Sequence, residues 1–216
     1  MSTKKSLIHL GFWIGMALIF NAGIYIFMGH EKALAFLGGY VIEQSLSLDN
    51  LFLFLIIFEC FAVNPQYQKR IFTYGIIGAI ILRFIFIILG VTIINQFHWM
   101  LYIFGIILII SGIKMIFKND VVVNFKNSRV IGLLEKIIPV SDKIEGEKFF
   151  IRKNKILYAT PLFAILILIE ASDIIFAIDS IPAVFSITTD PFIVYTSNIF
   201  AILGLRNMYF LLEKLH

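Results

Sequence analysis

The chain has 216 residues, of which 60% are hydrophobic and only 15% charged, and its mean hydropathy is +0.94. Soluble domains run at roughly 45–50% apolar and about 25% charged, so an ordinary water-soluble globule is excluded, and apolar runs that are continuous rather than alternating exclude a transmembrane β-barrel. The net charge of +4 and pI near 9.1 locate to one side of the apolar stretches rather than to a nucleic-acid site, the single Cys60 excludes an internal disulfide or a cysteine zinc cage, and His9, His30, His98 and His216 form no metal-spacing cluster.

At roughly 20 apolar residues per helical crossing, the pattern predicts an all-α, polytopic transmembrane helix bundle of six spans, treated as one domain. The spans run from about Leu7 to Met28, Ala33 to Phe61, Ile71 to Gln96, Trp99 to Phe117, Ala159 to Ser186, and Pro191 to Leu212. The first resembles a signal peptide in its Lys4-Lys5 pair, but it is long and lacks a small-x-small cleavage site, so an uncleaved anchor is expected. The connections Gly29–Lys32, Asn95–His98 and Ile187–Asp190 hold one Lys and no Arg. The opposite side holds Lys4, Lys5, Lys69, Arg70 and nine Lys or Arg from Lys118 to Lys155. By the positive-inside rule the N-terminus and the 118–158 loop are expected to be cytoplasmic. Within that loop Ile131, Leu134, Ile137 and Ile138 recur near helical spacing, which fits either a short interfacial helix or a solvated linker. It offers no Gly-rich phosphate cradle and no nucleophile constellation.

Ionisable residues inside spans are costly and mark ion or substrate paths by default. The second span carries Glu43 and Asp49, the fifth Glu170, Asp173 and Asp179, the third Arg83 and the sixth Arg206. Glu59 precedes the Asn64-Pro65-Gln66 turn and reads as structural or interfacial. Five acids against two bases leave a surplus of three negative charges. Such a surplus persists only if carboxylates are protonated, as burial encourages, or if a cation joins them.

The acidic segments are similar to each other. Glu43-Gln44-Ser45-Leu46-Ser47-Leu48-Asp49-Asn50 aligns with Asp173-Ile174-Ile175-Phe176-Ala177-Ile178-Asp179-Ser180, and an arginine helix follows each, at Arg83 and Arg206. Three spans separate the copies, so they cross the membrane in opposite senses, as in an inverted-topology repeat with its site near the midplane. The expected repeats cover about 33–117 and 159–216, the second incomplete. At 100° per residue, Glu43, Ser47 and Asn50 share one face within about 60°, with Asp49 roughly 120° away, and Asp173, Ala177 and Ser180 stand likewise to Asp179. Either each helix unwinds or its two acids face different neighbours. Pro182 deprives the Ile178 carbonyl of its helical donor, which leaves a ligand oxygen or simply a kink. Carboxylates, the Asn50 and Asn198 amides and nearby hydroxyls suit a hard divalent cation, Mg²⁺, Ca²⁺ or Mn²⁺, without choosing among them. Arg83 and Arg206 read either as partners that a cation displaces or as fixed structural ion pairs. Gly38-Gly39, Gly75 with Gly78, and Gly105 with Gly112 read as sites of close helix approach.

The segment Glu43–Asn50 resembles the E-x-x-L-S-x-D-N signature of the TerC family of integral membrane proteins. Thr160-Pro161-Leu162-Phe163 leading into Glu170–Ala183 is similar to its second signature, and Thr196–Arg206 to its third. The resemblance implies a bacterial inner-membrane protein of the LysE-like transporter group, linked to manganese export and, by name, to tellurium resistance. It favours Mn²⁺ as transported cation and substrate. It carries over Glu43, Asp49, Asn50, Glu170, Asp173, Asp179 and Asn198 as metal ligands, with Arg83 and Arg206 as supporting ion pairs. Export by alternating access, coupled to protons, is the leading reading. A membrane scaffold or insertion partner linked to tellurium resistance is the alternative, along with Ca²⁺ or Mg²⁺ transport through the same site. An enzyme has the least support, since no nucleophile, base and orienting group converge. No organic cofactor and no nucleic-acid partner are expected, only the divalent ion and the lipid bilayer.

Overall fold

The computed structural model describes residues 3–116, 128–141, 146–153 and 155–212, and within them every side chain but those of residues 3–7, 49, 115, 116, 153, 205–207 and 210–212. The elements in chain order are α1 (Thr3–Met28), α2 (His30–Cys60), α3 (Pro65–Gln96), α4 (Met100–Ile116), α5 (Arg129–Ile137), β1 (Phe150–Lys153), β2 (Ile156–Ala159), α6 (Pro161–Phe185) and α7 (Pro191–Leu212). Four helices, α1, α2, α3 and α6, are long and apolar enough to cross a bilayer, and α4 and α7 add the shorter apolar stretches Met100–Lys114 and Pro191–Gly204. The expected all-α membrane bundle is therefore the fold, with a helix at each of the six expected spans.

Local chemistry sets the breaks. Gly29, at φ 93°, turns the chain between α1 and α2 in a conformation that side chains resist. Asn64 caps α3 by accepting from the Gln66 amide at 3.2 Å, with Pro65 at the first helical position. Asp190 accepts from the Phe192 and Ile193 amides at 3.0 and 3.4 Å and pairs with Lys32 at 2.8 Å, which ties the start of α7 to the start of α2. Burial alone would raise the Asp190 pKa, but the Lys32 ammonium and the α7 amides prevail and hold it below its ordinary value.

Helix α2 runs antiparallel to α6. Gly38 and Gly39 lie against Ile187 and Val184 at one end, while Leu51 and Ile57 share a cluster with Leu162 and Ile165 at the other. That cluster closes the end of the bundle near Cys60 and Pro65. A second cluster, with Ile87, Ile181, Phe185 and Val194, fills the opposite end, and a third joins α1 to α2 and α7 through Ala17, Phe36 and Ile193. Of the glycines read as close-approach sites, Gly39, Gly75 and Gly78 are in contact with facing helices, and Gly38 is in contact with Ile187 just past the end of α6. Gly105 and Gly112 are not, because a methyl group on either would meet nothing within 4 Å.

The described part of the 118–158 loop is more ordered than a linker. Segment 129–137 is a helix with Ile131 and Leu134 buried and Leu133 and Ile137 turned outward. Strands β1 and β2 form an antiparallel hairpin that the sequence reading did not anticipate, pairing Phe150 with Ala159 and Lys153 with Ile156. Four residues per strand are too few for an alternation to register. Ala159 also bridges Val140, and Thr160 donates from Oγ1 to the Lys148 carbonyl at 2.7 Å, so the fifth apolar helix, α6, begins at Pro161, two residues after the expected start.

Candidate cation site

Between the two end clusters lies a band of buried polar groups: Glu43, Ser47 and Asn50 on α2, Arg83 on α3, Asp173 and Ser180 on α6, and Ser197 and Asn198 on α7. The shared face expected from helical geometry is thus the face that packs inward, with Ala177 buried beside Asp173 and Ser180.

Arg83, only 1% exposed, is the centre. Its Nη1 donates to Asn198 Oδ1 at 2.6 Å and forms an ion pair with Glu43, while Nη2 lies 3.4 Å from Asp173 Oδ1. One guanidinium from α3 therefore joins α2, α6 and α7, a task suited to its planar fork of donors. Ser47 Oγ donates to Glu43 Oε1 at 3.1 Å, and Asn198 Nδ2 donates to the Val194 carbonyl at 2.9 Å, so both partners are held from behind. Glu43, Asp173 and Arg83 together carry one negative charge in excess. Among the described residues, Glu43 Oε2, Asn50 Oδ1, Asp173 Oδ2 and Glu170 Oε2 are buried and accept no hydrogen bond. Leaving such acceptors without donors is costly in a protein interior. Asn50 and Asp173 both line a void of about 20 Å³, enough for one water or a bare ion.

The acids of α6 do face different neighbours, and the helix does not unwind. It continues through Pro182 to Phe185. Asp173 turns to Arg83, whereas Asp179 Oδ2 accepts from Ser111 Oγ of α4 at 2.9 Å. Glu170 lies against α3, where a methyl group on Gly78 would run into its carboxylate. The Asp49 and Arg206 side chains lie outside the described residues. Among those described, no three His, Cys, Asp or Glu gather as a ready metal cluster. Glu43, Asp173 and Asn198 meet on Arg83, Asn50 borders them, Glu170 lies near Asp173 on the α3 side, and Asp179 turns to α4.

A larger cavity of about 570 Å³ links these parts. Glu43, Leu46, Asn50 and Arg83 form one wall, Ser111 and Lys114 of α4 another, and Ile175, Phe176, Asp179 and Ser180 of α6 the third. Ser111 and Lys114 were missed by the sequence reading, which placed Lys114 near the end of a span. Their signal was an i, i+3 pair of polar residues within an otherwise apolar stretch.

A bundle of apolar helices enclosing a charged, hydrogen-bonded centre defines a multi-pass integral membrane protein. Residues 28–216 match the integral membrane protein TerC family, and the chain belongs to that family. It is 48% identical over 221 residues to a protein of Salmonella typhi provisionally named membrane-bound redox modulator Alx, covering 99% of this chain and 69% of that one. The Alx of Escherichia coli K12 is 46% identical over 220 residues, covering 98% and 68%. An uncharacterised membrane protein of Myxococcus xanthus, STKORF319, is 46% identical over 209 residues, covering 97% and 66%. No solved structure matches the chain.

Proposed function

We propose that the chain is a membrane transporter exporting a divalent cation, Mn²⁺, by alternating access, with protons as the coupling ion. The observation that carries this reading is the buried centre in which Arg83 bridges Glu43 of α2 to Asp173 of α6, beside oxygens that accept no hydrogen bond among the described residues. The oxygen-only character of those acceptors suits Mn²⁺, and the TerC resemblance selects it among hard divalents. The antiparallel packing of α2 on α6 supports an inverted repeat with the site at its midplane. Charge balance supplies the mechanism: Arg83 already neutralises one of two carboxylates, so an arriving dication either displaces the guanidinium or recruits Asp49, Glu170 or Asp179. Crowded carboxylates share protons, so cation binding at such a site couples to the proton gradient. The lysine and arginine asymmetry supports a cytoplasmic N-terminus and basic loop, and the TerC resemblance supports placement in a bacterial inner membrane.

The Alx relatives bear a name that speaks of redox modulation. This chain has Cys60 alone, at the end of α2, and so brings no dithiol within its 216 residues. The ion pairs of Arg83 equally suit a scaffold in which the acids only join helices, and flux separates the two readings. Proteoliposomes of the wild type, loaded with a Mn²⁺-quenched dye, are expected to show protein-dependent Mn²⁺ movement under an imposed proton gradient. Movement no faster than in empty liposomes, under either gradient direction, contradicts transport.

A further inference from the structure

We propose that Lys114, an exposed side chain on the wall of this cavity, is its counter-ion, an ammonium that the transported cation must out-compete for the Asp179 and Glu43 carboxylates. The proposal rests on the transport reading above and adds to it a residue that sets the affinity for the ion.

Depth is the first argument. The Phe104 ring stacks on Phe185 at 6.1 Å and Ser111 bonds Asp179, so α4 runs antiparallel to α6 over this stretch. At about 1.5 Å per residue, Lys114 then lies level with Phe176, roughly 14 Å inside the Phe185 end of α6 and about 22 Å from Pro161. A lysine at the margin of a span reaches the interface along its own stem. A four-carbon stem covers only a fraction of either distance. An ammonium at that depth needs carboxylates or water around it.

The cavity holds carboxylates and has space for water. Seven of its ten lining residues carry a polar or charged group that water can solvate, although Leu46, Ile175 and Phe176 make much of the wall apolar, and its 570 Å³ has room for on the order of ten or more waters. Among the described residues Lys114 holds no hydrogen bond or ion pair, in contrast to Arg83, which is fixed on three partners. A compact, hydrated charge on a flexible stem can serve Asp179 or Glu43 in turn and withdraw when a dication enters. Ser111 holds Asp179 at the cavity wall and so keeps the acid within the lysine's range.

The test compares Mn²⁺ binding to purified wild type, Lys114→Gln and Lys114→Arg by paramagnetic resonance of free Mn²⁺. Removing a like charge a few ångströms from the ion is expected to tighten binding by about tenfold or more, while Lys114→Arg stays near wild type. An unchanged or weakened affinity in Lys114→Gln, with wild type binding Mn²⁺, overturns the proposal and leaves the transport reading standing. Failure of wild type to bind Mn²⁺ overturns both. A second measurement does not depend on tolerance of the Lys114 change. In a Cys60→Ser background, Ile175→Cys is expected to react with a water-soluble, membrane-impermeant thiol reagent and to be protected by Mn²⁺. A thiol that does not react identifies a lipid-filled cleft and contradicts the proposal.

Discussion

Arg83 is 1% exposed and touches three other helices, so its removal strands Glu43 and Asp173 in the interior without a cation. Breaking a buried ion pair from one side costs about 3–5 kcal/mol, because the remaining charge is left uncompensated. Arg83→Gln is therefore expected to lower the thermal midpoint in detergent sharply. Arg83→Gln combined with Glu43→Gln should recover part of the loss, and a double variant no better than the single one would contradict this account of the pair. Glycines offer a second test. A methyl group on Gly90 would come within 2.6 Å of the Phe185 ring, whereas one on Gly112 would meet nothing within 4 Å. Overpacking of that kind costs about 1–3 kcal/mol, so Gly90→Ala should destabilise in the same assay and Gly112→Ala should not.

The ends of α2 and α7 are joined by one acid that is both a helix cap and an ion-pair partner. Because Lys32 and the α7 amides hold the Asp190 pKa low in the folded chain, its contribution is present above the unfolded value of about 3.9 and is lost as pH falls through that value and the lower folded one. The gap in thermal midpoint between wild type and Asp190→Ala is expected to be full at neutral pH and to close as pH falls below about 4. A gap independent of pH would show that the carboxylate charge is not what matters. How much of each element was legible in the sequence depended on whether its signal was compositional or positional. The long apolar runs gave the six helices of the bundle, and the Asn64-Pro65-Gln66 turn is where α3 begins. The hairpin at Phe150–Ala159 was not legible, because its short strands are specified by contacts with Val140, Lys148 and Thr160 rather than by an internal pattern.

For the whole molecule, helical geometry alone placed Glu43, Ser47 and Asn50, and likewise Asp173 and Ser180, on faces that the bundle buries. It also separated Asp173 from Asp179, which the structure directs to Arg83 and to Ser111. What the sequence could not convey was the α4 wall, since the registration of α4 against α6 that sets Ser111 and Lys114 beside the acids depends on tertiary packing. The account's central claim is that acids of both halves, held apart in sequence and brought to one cavity, bind and move Mn²⁺. The most direct test is cellular manganese content and survival in high Mn²⁺ for wild type, Asp49→Asn, Asp173→Asn and Asp179→Asn at matched membrane abundance. The account predicts that wild type lowers manganese and that all three variants lose that effect. Equal manganese in all four strains, with correct insertion, would contradict it.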